Sequence, residues 1–110
     1  MIIEQLKEDA ATIQFNDVIT FIDENYDFTP TKFTNGNTVN EENQNNGSCK
    51  VFSFAKLNNL SKEETLALFG AFYREDVLEN PEGSDHQNIR NFMEFGWEGI
   101  QFEGEALHKK

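Results

Sequence analysis

"GSDHQNIRNFMEFGW", Gly83 to Trp97, is the stretch on which the fold turns. Ile89, Phe92 and Met93 fall three and four residues apart, the spacing that gathers side chains on one face of an α-helix. Ser84 followed three places later by Gln87 has the form of a capping box. In that motif the serine hydroxyl accepts from the third helical amide, and the glutamine reaches back to the serine amide. Gly96 suits the position that ends a helix, and Trp97 beyond it can fold back on Phe92. Start, stripe and stop agree, so the segment is expected to be helical from Ser84, with its inner side pressed into a phenylalanine-rich interior.

Moving upstream, Ser61 and Glu64 form a second box ahead of Leu66, Phe69, Tyr73 and Val77, with Leu68 and Phe72 on a neighbouring stripe. This predicts one long central helix. Gly70 inside it costs about 1 kcal/mol relative to alanine, which implies close approach by another element. Ser48 is expected to cap a helix carrying Val51, Phe52 and Ala55, although so short an apolar run also fits a buried strand. Asn37 to Asn46 offers little to bury and reads as a surface loop. Phe28 and Phe33 flank Pro30, and Asn35-Gly36 is a favoured turn pair, so one or two short extended pieces are expected rather than a robust hairpin.

Nearer the start, Ile2, Ile3, Leu6, Ala10 and Ile13 mark one amphipathic helix. Asn16 is expected to cap another, bearing Val18, Ile19, Ile22 and Tyr26. Beyond the opening segment, Ile100 and Phe102 alternate with Gln101 and Glu103 as a half-buried strand, which could pair with the Phe28–Phe33 region. The predicted fold is α+β. It is one predominantly helical domain over residues 1–110, with about five helices and a small antiparallel strand pair.

A chain of 110 residues can bury roughly two thirds of its unfolded surface, and eleven phenylalanines concentrate that burial. Nine basic against twenty acidic side chains give a net charge of -11. That balance repels a phosphate backbone or an anionic lipid surface, the lysines look scattered, and neither nucleic acid nor membrane is expected as a partner. A single cysteine, Cys49, rules out an internal disulfide and fits a reducing compartment. With no apolar run long enough to span a bilayer, and acids where a signal peptide would be basic, the expected location is the cytoplasm.

The polar residues worth weighing cluster around the opening stretch. His86 would sit in a first helical turn beside Asp85, Asn88 and Arg90, where the helix dipole disfavours its protonated form and a neutral imidazole could exchange protons. The plainer reading makes it a hydrogen-bonding link at a junction. Arg90 has the planar fork that holds a carboxylate or phosphate, but among twenty acids an internal ion pair is the simpler expectation, and Arg74 in "FYRED" reads likewise. Cys49 near a helix start could have a lowered pKa, yet nothing in its spacing brings His86 to it, and a buried inert thiol is expected. Asn40 and Asn45 could face this group from the loop. Two histidines and one cysteine exclude the usual closed zinc sets, the Asn37–Glu42 run lacks a calcium-loop register, and no phosphate-cradling glycine loop or nucleophile elbow appears. No metal or cofactor is therefore expected.

Taken in order, "FTNG", "GSCK", "TLALFG", "YREDVL", "P-G-DHQNIR-FM" and "GW-G", spread between Asp27 and Leu107, make a chain that resembles the HopJ family, named for a type III secreted effector of plant-pathogenic bacteria. The resemblance implies no reaction, since the family name describes delivery into host cells. Where the family often has an Ala-Gly pair before its N-GSCK run, this chain has Glu42 and Asn43. Export signals of that secretion type usually avoid early acids, whereas Glu4, Glu8 and Asp9 stand here, so export is not expected. The first functional expectation is a small acidic cytosolic bacterial protein that binds an unknown protein or small molecule. The alternative is a small enzyme or ligand-binding protein with a polar site of His86, Arg90, Asn88 and Asp85, faced by Cys49, Asn40 and Asn45.

Overall fold

A computed structural model describes residues 2–110. In chain order its elements are α1 (Ile2–Glu8), α2 (Phe15–Asn25), β1 (Tyr26–Phe28), β2 (Phe33–Asn35), β3 (Thr38–Asn40), α3 (Asn46–Leu57), α4 (Lys62–Ala67), a π-helical segment (Phe72–Val77), α5 (Gln87–Phe95), β4 (Ile100–Phe102) and β5 (Leu107–Lys109). The α+β class, the helical majority and the number of helices agree with the sequence. Among the described residues no helix is long and apolar enough to cross a membrane.

β2 is the centre of a three-stranded antiparallel sheet in which Phe33 lies opposite both Asn40 and Phe102. The expected pairing of the Ile100 strand with the Phe28–Phe33 region therefore exists, through Phe33–Asn35. The hairpin is firmer than expected. β2 and β3 join through Gly36 and Asn37, with Gly36 at φ +64° in the first turn position. β3 falls inside the stretch read as a loop, because Thr38–Asn40 turns its valine outward and buries an asparagine, reversing the pattern that betrays a strand. A second ladder, β1 with β5, was not anticipated, since Leu107 is the sole apolar residue of β5.

The Ser61 box forms as read: Ser61 Oγ accepts from Glu64 N at 3.1 Å, and Glu64 Oε1 accepts from Ser61 N at 2.9 Å. The long helix behind it does not form. Gly70 adopts φ +61°, and a Cβ there would stand 2.8 Å from Phe15 N and 3.2 Å from Ile13 O. Close approach by another element is thus real, but it breaks the helix, and the chain resumes as the π-helical segment. The same contact fixes the start of α2: Gln14, not Asn16, precedes the helix, and its carbonyl accepts from Asp17 N and Val18 N. Ile13 reaches the core from a 3₁₀ turn (Ala10–Thr12), because α1 has already ended at Glu8.

α3 begins at Asn46 behind Asn45, which takes φ +53°, so Ser48 lies inside the helix rather than capping it. Asn45 Nδ2 donates to Asn40 Oδ1 at 2.6 Å, tying this turn to β3. Asn43, where the resembled family often has glycine, holds φ +67°, a region asparagine tolerates. α5 likewise starts late. His86 precedes it at φ +50°, ψ +48°, while Ser84 is exposed and caps nothing. Its face is as read, with Ile89 and Phe92 buried and Met93 partly so. Its end falls where expected, and the Trp97 ring meets Phe92 edge-on at 5.1 Å, but Gly96 takes φ +62° with ψ -155° rather than the left-handed helical conformation, and the chain runs on as a 3₁₀ turn (Gly96–Gly99). Phe52 sits at the middle of the core, with ring centroids 4.9 Å from Phe92, 5.4 Å from Phe69 and 6.0 Å from Phe33.

Candidate functional site

The first turn of α5 is fastened to the β2–β3 hairpin by side-chain amides. Asn88 and Asn40, 7% and 1% exposed, exchange two hydrogen bonds: Asn40 Nδ2 donates to Asn88 Oδ1 at 3.1 Å, and Asn88 Nδ2 donates to Asn40 Oδ1 at 3.0 Å. Asn35 Nδ2 donates to the Asn88 carbonyl at 2.8 Å and to Asn88 Oδ1 at 3.0 Å. One turn on, Asn91 Nδ2 donates to Thr38 Oγ1 and Asn35 O, and Gln87 Nε2 donates to Asn91 Oδ1. Buried amides without partners cost about 1–3 kcal/mol each, so this network fixes the hairpin and helix in one register.

Over this network opens a cleft of about 350 Å³, lined by Phe15, Thr38, Asn40, Asn45, Gly47, Ser48, Phe69, Phe72, His86, Gln87, Asn88 and Ile89. Phe15 lies 6.1 Å from Phe69 in a stacked arrangement and 5.0 Å from Phe72 edge-on, giving an aromatic side. Asn40, Asn45 and Asn88 give an amide side. The lining contains no aspartate, glutamate, lysine or arginine, although such residues make up 26% of the chain.

His86 closes the cleft next to Phe72, their rings 5.0 Å apart. Its Nε2 lies 3.0 Å from Asp76 Oδ2 and 3.9 Å from Asp85 Oδ2, a partner that holds the ring in one orientation. Its positive φ places a non-glycine residue in a costly backbone region beside the cleft.

The seven residues singled out in the sequence divide. His86, Asn88, Asn40 and Asn45 meet at the cleft; Arg90, Asp85 and Cys49 do not line it. Arg90 binds its own loop: Nε donates to Asp85 O, Nη2 to Asp85 Oδ1 at 2.7 Å and Nη1 to Asn80 O at 2.9 Å. The Arg90 guanidinium holds the Asp85 carboxyl below its usual range. Cys49 is buried with Sγ 3.6 Å from Thr31 O, and burial pushes its thiol pKa up, which makes it unreactive. Arg74 departs from expectation: no ion pair forms to it among the described residues, and its Nη1 is buried without a hydrogen-bond partner. Neighbouring Asp76 is taken by His86 instead. No group of three or more histidine, cysteine or acidic side chains among the described residues could hold a metal ion.

Sequence reasoning missed Phe69 and Phe72 as cleft walls, because an aromatic at helical spacing reads as core, and it gave Phe15 no role at all. It also missed Asn35 and Asn91, the wholly interior part of the network. Their signal was faint: Asn35 reads as half of a turn pair with Gly36, and Asn91 stands where no cap or turn requires it.

Comparison with known proteins bears on all of this. A family model described as "HopJ type III effector protein" matches residues 1–107. A crystal structure of a protein of unknown function, VPA0580, superimposes with a TM-score of 0.97 at 60% identity, over 98% of this chain and 90% of that one. No curated protein matches.

Proposed function

This chain belongs to the HopJ family, and from that premise we propose that it is a binding protein whose cleft between the β2–β3 hairpin, α5 and the aromatic segment takes a small, uncharged polar molecule. One observation carries the reading: a -11 chain keeps every permanently charged side chain out of this cleft while gathering three asparagine amides and three phenylalanine rings into it. The Asn40 and Asn88 oxygens are taken by the network, but the Asn45 carbonyl oxygen has no internal partner among the described residues and each amide nitrogen keeps a second N–H, which suits a ligand with amide, imide or hydroxyl groups, while the rings supply a flat apolar surface for its body. A carboxylate or ammonium ligand would find no partner charge and would lose its hydration without return. A buried single thiol needs no oxidising compartment, and we place the protein in the bacterial cytosol, acting on a molecule met there.

A second reading, catalysis, is favoured by the His86–Asp76 contact, which orients an imidazole at the cleft wall in a cleft that also holds the Ser48 hydroxyl. Calorimetric titration with neutral amide-bearing and heteroaromatic fragments separates the readings. We expect saturable binding that weakens about tenfold in Asn45→Ala, as loss of a desolvated hydrogen bond requires. Binding confined to charged fragments, or unaffected by this variant, would overturn the proposal. Turnover of a bound fragment that disappears in His86→Ala while its binding persists would favour the enzyme.

A further inference from the structure

The lysines that look scattered in the sequence are partly gathered by the fold. Lys56 and Lys109, with His108, line a second and larger cleft of about 800 Å³, between the C-terminal half of α3 and β5. No carboxylate lies within ion-pair distance of Lys56 or Lys109 among the described residues, even though acids outnumber bases by twenty to nine. Lys56 Nζ instead stands 5.6 Å over the Phe102 ring. The one acid in the lining, Glu105, reaches only His108 Nδ1, at 3.8 Å. Leu57, 56% exposed, supplies an apolar foothold on the helix side.

The strand side has unpaired backbone, exposed at Lys109 and covered at Leu107, which is 5% exposed. Thr29 N donates to Ala106 O at 2.8 Å and Lys110 N donates to Asn25 O at 3.1 Å, on either side of the paired residues Asp27 and His108. Bonding residues alternate in an antiparallel ladder, so the amides and carbonyls of Leu107 and Lys109 point away from β1. Among the described residues β1 is the sole neighbour of β5. An unpaired strand edge, a helix facing it across a cleft and unpaired cations together match the way an extended peptide is bound by strand addition.

We propose that this cleft binds an extended acidic peptide segment of a partner protein, which adds as a strand to the outer edge of β5 and places its carboxylates at Lys56 and Lys109. The site is separate from the neutral cleft and does not depend on the ligand proposed there.

Fluorescence polarisation with a short fluorescein-labelled peptide of alternating valine and aspartate tests this on the full chain. Binding is expected to weaken with added salt, by about tenfold in Lys56→Glu and in Lys109→Glu, and by a similar factor when alternate peptide amides are N-methylated. Both substituted lysines are exposed, and unchanged thermal unfolding confirms that the variants remain folded. Backbone amide shifts should centre on Leu107 and Lys109. Absence of binding, equal binding of a valine–lysine peptide, or indifference to N-methylation would each overturn the proposal. So would a β5-mediated dimer, which would assign the edge to a second copy.

Discussion

Two helices in this molecule begin with the same written instruction and obey it differently. Ser61-Lys62-Glu63-Glu64 forms its capping box with both hydrogen bonds, whereas Ser84-Asp85-His86-Gln87 forms neither and the helix starts behind His86 instead. The Ser61 turn is exposed and has few competitors. At Ser84 the competitors are strong: Arg90 takes Asp85 by both its carbonyl and its carboxylate, Asp76 takes His86, and Asn88 is locked to the hairpin. A cap contributes about 1 kcal/mol. A buried amide network and a charge-assisted loop clamp together contribute more, so the local rule yields where the tertiary polar contacts are densest, and that place borders the neutral cleft.

Breaking the stronger side of this contrast should have the largest effect. Asn88→Ala strands the buried Asn40 amide and is expected to lower unfolding free energy by about 3 kcal/mol in urea titrations. Arg90→Ala removes the clamp on the 80–85 loop, and a loss of about 2 kcal/mol is expected from its charge-assisted bonds. Ser61→Ala should cost about 1 kcal/mol, and Ser84→Ala less than about 0.5, because only the first serine caps anything. Equal losses from the two serines would erase the contrast.

The acid limb sharpens it further. The Glu64 carboxyl is held below its ordinary value, first by the Ser61 amide and then by Lys7. A depressed carboxylate stabilises the fold above its unfolded pKa, and that contribution fades as pH falls through the folded one. Glu64→Gln keeps an acceptor for Ser61 N but cannot titrate, so its stability should fall less steeply on acidification. This is the smallest effect expected, and urea midpoints measured from neutral pH downward would detect it.

The same contrast explains what could be read in advance. The α5 stripe, its Gly96–Trp97 close, the Ser61 box, the Ile100 strand and the family resemblance are carried by neighbours a few residues apart, where periodicity and turn chemistry act. The start of α5, the break at Gly70 and β3 depend on partners far along the chain: Asn88 with Asn40 at a separation of 48 residues, Gly70 with Phe15, and Asn91 with Thr38 at a separation of 53. Four site candidates were visible as unexplained polar residues. The phenylalanines opposite them were not, since lining a cleft and filling a core demand the same side chain.

Proton–nitrogen NMR of the side-chain amides, recorded while a neutral amide-bearing fragment is titrated, reads the cleft at its polar wall. The Asn40, Asn45 and Asn88 NH₂ resonances are expected to move first and saturate together, with the first turn of α5 following. Resonances that stay fixed while the fragment binds elsewhere would contradict it.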